Sequence, residues 1–153
     1  MKIRFLVNGK EIDPGDAVKK AAQEKFDDID KQVLSRAVRV TNALRNSALK
    51  VLSGTRSGKV YKRPGSRNAT YRASAPGEPP AVRTGMLRQN WNPFTAIESG
   101  DKGSTILAGI ESGEKYAGYL ENGTSRMAPR PYVDLIKEDT KPEIERIFGE
   151  PYT

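Results

Sequence analysis

Gly54-Thr55-Arg56-Ser57-Gly58-Lys59-Val60 has the residue types of a loop that wraps a phosphate in backbone N–H groups, but not its spacing. Such a loop needs four residues between its glycines and a Mg²⁺-binding hydroxyl after the lysine. Here there are three, and Val60 follows Lys59. No apolar strand leads into the segment, so nucleotide binding is set aside. Asp134, Glu138 and Asp139 fall at i, i+4 and i+5 of an expected helix and are hard-metal ligand types. Without the lysine-bearing strand of a nuclease they read as a solvated acidic face. The chain has no histidine and no cysteine. Imidazole acid–base schemes, Ser-His-Asp triads, thiolate nucleophiles, disulfides and cysteine–zinc sites are thereby excluded. The expectation is a chain without catalytic residues, cofactor or metal, and not an enzyme.

What remains is charge. The net +7 over 153 residues is unevenly distributed. Residues 1–53 hold 11 basic and 7 acidic side chains, residues 54–91 hold 8 and 1, and residues 92–153 hold 7 and 11. A strongly basic middle beside an acidic end suits head-to-tail packing of copies or an anionic partner. In the basic stretch, Arg63, Arg67, Tyr71, Arg72, Arg83 and Arg88 combine cations with an aromatic ring. Phosphate contact plus base stacking would use such a set, so a basic nucleic-acid-binding module acting through residues 54–90 is the second reading of this chain. No recognition helix or RNA-binding sheet motif accompanies it.

The elements that must position these residues follow from periodicity. Ile3, Phe5 and Val7 alternate before Asn8-Gly9, the preferred pair for a tight hairpin turn, so residues 1–12 are expected as a β-hairpin. Asp13-Pro14 reads as a helix cap and first turn. From Val18 through Ala22, Phe26, Ile29, Val33, Ala37, Val40, Leu44 and Ala48 to Val51, apolar residues recur at spacings of 4 and 3 in an 11-residue repeat. At about 3.67 residues per turn that stripe runs straight along a helix over 14–53. Such a helix is too long for one small core, and its alanines permit close approach of a second backbone. It is expected to pack on its own sheet and on neighbouring copies.

Residues 54–84, rich in Gly, Pro, Ser and Arg, read as a projecting basic arm. Within it Lys59–Lys62 and Ala69–Ala73 are expected to pair with Tyr61 and Tyr71 on one face. Residues 85–153 then supply a helical turn, core strands at Phe94–Glu98 and Thr105–Ile110, a short helix ended by Gly123, and a C-terminal helix in which Pro142 marks a kink or break. The expected fold is a single α+β domain: a long N-terminal helix on a small antiparallel sheet, a projecting basic hairpin or loop, and a C-terminal helix. No apolar stretch is long enough to span a membrane, and residues 1–8 do not read as a secretory leader, which leaves the sequons at Asn68 and Asn122 as turn chemistry.

Two segments carry a more specific signal. The first is Ser74-Ala75-Pro76-Gly77-Glu78-Pro79-Pro80-Ala81-Val82-Arg83-Thr84-Gly85-Met86-Leu87-Arg88-Gln89-Asn90-Trp91. The second is Tyr116-Ala117-Gly118-Tyr119-Leu120-Glu121-Asn122-Gly123-Thr124-Ser125-Arg126-Met127-Ala128-Pro129-Arg130-Pro131-Tyr132. In this order they resemble the tail-component family of long-tailed bacteriophages, the neck, tail-completion and head-tail joining proteins. The resemblance extends over residues 15–150, with Asn90 where serine is usual and Tyr132 where phenylalanine is commoner.

Physical roles can be assigned to these residues directly. Pro79 and Pro80 stiffen the end of the arm, and Thr84 can cap a turn at Gly85 that aims Leu87 inward and Arg83 and Arg88 outward. Gly123 suits a left-handed helix end, with Thr124 satisfying freed backbone groups. Arg130, held between Pro129 and Pro131, can form a bidentate pair with a carboxylate such as Glu121. Arg126 joins the candidate contact residues. The resemblance implies a structural virion protein of a phage or prophage, assembled in the host bacterial cytoplasm. Its partners would be copies of itself in a ring, sixfold by resemblance, together with the head connector and a tail-tube or tail-terminator protein. Transient contact with genome DNA would follow if arm arginines face the lumen.

Overall fold

The computed structural model describes residues 5–7, 10–12, 14–100 and 103–153. Between Asp16 and Ser53 the sequence has neither glycine nor proline, and one unbroken helix, α1 (Pro14–Ser53), fills that span at about 60 Å. The apolar stripe divides in two along it. Ala37, Val40 and Ala48 are buried, whereas Val18, Phe26 and Ile29 stay 69%, 63% and 41% exposed. The C-terminal half of α1 therefore belongs to a core, and residues 18–31 form an exposed rod.

The helix ends at Gly54, but not by a left-handed glycine. Arg56 instead donates from Nη2 to the Val51 carbonyl at 2.8 Å and to the Pro80 carbonyl at 3.1 Å. A Cβ on Gly54 would meet the Arg56 guanidinium at 2.8 Å, so the glycine makes room for the capping side chain.

β1 (Phe5–Val7) and β2 (Lys10–Ile12) pair antiparallel, Leu6 opposite Glu11. The Asn8-Gly9 turn and the Asp13 cap lie outside the described residues. β3 (Val60–Lys62) and β4 (Thr70–Arg72) pair with Tyr61 opposite Tyr71, and the two rings stack at 6.0 Å between centroids. After the short α2 (Met86–Gln89), β5 (Trp91–Gly100) and β6 (Gly103–Ser112) form a hairpin of ten-residue strands. These strands are longer than expected, and only their base reaches the core, where Ile110 packs against it. Trp91 is buried at their base, but Phe94, Ile97 and Leu107 are exposed.

α3 (Ala117–Asn122) and α4 (Val133–Gly149) complete the chain. Pro142 does not break α4, although it offers no N–H to the carbonyl of Glu138 on the exposed side of the helix. The architecture is α+β, with three two-stranded antiparallel sheets among the described residues and α1 packed against α4, β6, β5 and α2.

The core is built from Ala48 and Leu52 of α1, Leu87 of α2, Trp91, Ala117, Tyr132 and Ile136. Trp91 Nε1 is buried there without a hydrogen-bond partner among the described residues, whereas the buried hydroxyls of the α1–α4 seam are satisfied inside their own helices or across it. Thr41 Oγ1 donates to the Val38 carbonyl, Thr140 Oγ1 to that of Ile136, and Ser47 Oγ to Asp139 Oδ2 at 2.7 Å. Asp139 also pairs with Lys50, so this member of the acidic trio is an inter-helix tie and not part of a solvated face. At the other end of the seam Arg39 holds Glu150 with two bonds of 2.6 Å, and Arg36 donates to the carbonyls of Phe148 and Pro151 while stacking on Tyr152 at 3.8 Å.

Candidate functional site

The two sequence segments singled out by their spacing meet in space. Arg130, from the second, donates through Nη1 to the Ser74 carbonyl, to Ser74 Oγ and to the Ala75 carbonyl of the first. Gly77 N–H donates to the Pro129 carbonyl at 3.2 Å. Arg130 therefore does not form the expected pair with Glu121. The Glu121 carboxylate is engaged elsewhere: its Oε2 accepts from the N–H groups of Tyr132 at 2.8 Å and Val133 at 3.2 Å. A carboxylate at the first turn of α4 satisfies donors that have no partner within the helix and complements the helix dipole.

Gly123 closes the loop between these roles. Its φ of +75° is unfavourable for other residues, and a Cβ there would meet the Met127 carbonyl and Pro129 N at 2.8 Å. With ψ at −179° it is not the left-handed cap anticipated. Thr124 N–H donates to the Met127 carbonyl and Thr124 Oγ1 accepts from Arg126 N–H, which holds the tight turn before Pro129. Pro131 is exposed on the way to the buried Tyr132.

The arm is likewise half docked. Residues 58–74 project as the β3–β4 hairpin, closed at its base by Gly58 N–H to Ala73 O at 2.9 Å and Ala73 N–H to Lys59 O at 2.8 Å. Residues 75–84 lie back on the body: Pro80 is buried with its carbonyl accepting from Arg56, and Pro79 is half-buried. Thr84 Oγ1 receives the Met86 N–H only at 3.4 Å, while Gly85, at φ +88°, provides the turn that aims the buried Leu87 into the core. Arg83 points outward as expected, and Arg88 is half-buried with Nη1 3.3 Å from Ser53 Oγ.

Glu78 locks the base of the arm. Its Oε1 accepts from Ser57 Oγ at 2.6 Å, and its Oε2 accepts from the N–H groups of Ser57 at 3.0 Å and Ala75 at 2.8 Å. These bonds, that of Ser57 Oγ foremost, hold its carboxyl down at about 2 instead of the usual 4.5. The anchoring contribution is complete above the ordinary carboxylate range and is lost as pH falls from about 4.5 toward 2. Hydrogen exchange at Ser57 and Ala75 should therefore accelerate below pH 4, after correction for intrinsic rates. Glu78→Gln should remove that pH dependence, and Glu150→Gln, which removes a carboxylate of similar pKa on the α1–α4 seam, should not. An unchanged profile in Glu78→Gln would show that the arm is anchored by other groups.

Between the hairpin and the body lies a cleft of about 810 Å³. Its floor is Leu52, Leu87, Leu120 and Pro80, and its rim carries Arg63, Arg83, Arg88 and Arg130 with Tyr71 and Tyr116. No acidic residue lines it. Among the described residues no ion pair engages any of the four arginines, and Arg63 and Arg83 make no side-chain hydrogen bond. The structure thus brings Arg63, Tyr71, Arg83, Arg88 and Arg130 to one site. Arg67 stays at the exposed arm tip, Arg72 is exposed with Nη1 on the Gly58 carbonyl, and Arg126 is exposed beyond α3.

No family model, curated protein or solved structure matches the chain. The site must therefore be read on its own chemistry.

Sequence reasoning missed Arg56, Arg36 and Glu78 as organisers. Only Glu78 left a signal, as the lone acidic residue within the basic stretch 54–91. No helix of the described residues is long and apolar enough to cross a membrane, and no group of carboxylates among them is placed to hold a metal ion.

Proposed function

We propose that this chain is a structural subunit of a phage or prophage neck or tail, completing the tail or joining it to the head connector as one copy in a ring. The observation that carries this reading is the uncovered half of α1. The same apolar stripe that builds the core from Val33 onward continues through Ile29, Phe26 and Val18, which the described residues leave exposed. A free helix half of this kind is marginal on its own in water, so a partner is needed to cover it. On the β5–β6 hairpin, Phe94 and Leu107 on one face and Ile97 on the other add further exposed apolar side chains. The resemblance of residues 74–91 and 116–132 to neck and tail-completion proteins supports the virion setting. Partners in that setting are further copies, the connector and a tail-tube or tail-terminator protein.

Copies that meet head to tail close into rings when the rotation permits. Mass in solution, measured by light scattering at rising protein concentration, should increase toward a closed oligomer. A mass fixed at one chain across the range counts against the ring.

The four arginines without carboxylate partners favour a second reading, contact with nucleic-acid phosphates. Binding of duplex DNA with a steep salt dependence by a chain that stays monomeric would decide for it.

A further inference from the structure

We infer that the arginine-rimmed cleft receives residues 26–30 of α1 from a second copy of the chain. This inference rests on the ring reading and names the contact that builds it.

The cleft asks for an apolar body carrying carboxylates: its floor is Leu52, Leu87, Leu120 and Pro80, and its rim holds four arginines and no acid. The exposed rod of α1 offers that combination. Phe26 and Ile29 lie on the stripe, Asp30 follows Phe26 by one helical turn on the same face, and Asp27 flanks it. Asp27 Oδ1 accepts from Gln23 Nε2 at 2.9 Å, which leaves its other oxygen available. Neither Asp27 nor Asp30 has an ion-pair partner among the described residues.

The chain cannot satisfy its own cleft. Leu52, in the cleft floor, and Phe26 stand on the same unbroken helix, 26 residues and about 39 Å apart. The occupant must come from another molecule. Donor and acceptor surfaces differ, so the contact is head-to-tail and propagates until it closes. Carboxylate meeting guanidinium at a partly apolar site gives the pairing direction and register, while Phe26 and Ile29 supply the area removed from water.

The test uses the full-length chain in three charge-swapped forms, each checked by circular dichroism for native helix content. Asp27→Arg/Asp30→Arg reverses the rod, Arg63→Glu/Arg83→Glu reverses the rim, and a fourfold variant carries both. Arg63 and Arg83 are chosen because their side chains hold nothing else in place. Sedimentation velocity should show each double variant weakened in self-association by about a hundredfold or more, since like charges then face each other. The fourfold variant should regain the wild-type oligomer, and mixing the two double variants should do the same.

A wild-type oligomer indifferent to both double swaps would overturn this contact and leave the ring reading standing. So would a rim swap that abolishes duplex DNA binding without touching association, which would make the cleft a nucleic-acid site. A wild-type chain that never associates would overturn the contact and the ring together.

Discussion

Ala48→Asp is expected to unfold the chain at room temperature, while Ala22→Asp leaves the isolated subunit as stable as before. Both alanines belong to the same apolar stripe of α1, and both substitutions introduce the same charge into the same helix. Ala48 is 0% exposed among Leu52, Leu87, Trp91 and Tyr132, with no cation in that cluster to pair with a carboxylate. Burying an unpaired charge costs above about 4 kcal/mol, and overpacking adds about 1–3 kcal/mol. That is comparable with the whole stability of a small domain, about 5–15 kcal/mol. Ala22 is exposed, so its replacement should stay within about 0.5 kcal/mol. Urea unfolding followed by circular dichroism, at concentrations where the subunit is dispersed, compares the two directly. Equal losses would mean that the rod half of α1 is covered within the monomer and needs no partner.

That pair of alanines also marks what can and cannot be read from sequence. The 11-residue repeat fixes a single long helix, because periodicity is a property of the helix alone and the span lacks glycine and proline. The repeat is uniform along its length, so it does not say where the core stops. Burial at Ala48 and exposure at Ala22 depend on chain folded back from residues 87–136, which no local pattern in 14–53 encodes.

The same distinction separates the arm's two halves. Tyr61 opposite Tyr71 was legible from strand alternation. The docking of residues 75–84 was not, since it depends on Arg130 and Arg56, each distant in sequence from what it holds. Arg130 was recognised as fixed by its flanking prolines, but its acceptors are a serine and two carbonyls, and carbonyl acceptors leave no trace in residue type. The β5–β6 strands read as core from their apolar content around Phe94–Ile97 and Ile106–Ile110. The exposed Phe94, Ile97 and Leu107 show that an apolar run predicts a strand without saying what covers its faces.

Gly58→Ala is expected to free the arm from the body. A methyl group at this position would lie 2.5 Å from the Ala73 carbonyl oxygen and 2.9 Å from the Ser74 carbonyl carbon and oxygen, all backbone atoms that cannot rotate away. The strands must separate at their base, with loss of the Gly58–Ala73 hydrogen bond and a cost of about 3 kcal/mol. The displacement reaches Ser74, whose carbonyl and hydroxyl hold Arg130, so the two motif segments part and the cleft loses its wall. Gly65→Ala is the matched comparison. It stands at φ +78° with open space around it, so only backbone strain of about 1 kcal/mol is expected, confined to the hairpin tip. Limited trypsin digestion should cut Gly58→Ala after Lys62, Arg67 and Arg72 at least tenfold faster than the parent, and Gly65→Ala much less so. Self-association should fall with arm release if the cleft wall forms part of the subunit contact. An oligomer that persists with its arms cut away would place the ring contact on the rod and the β5–β6 hairpin alone.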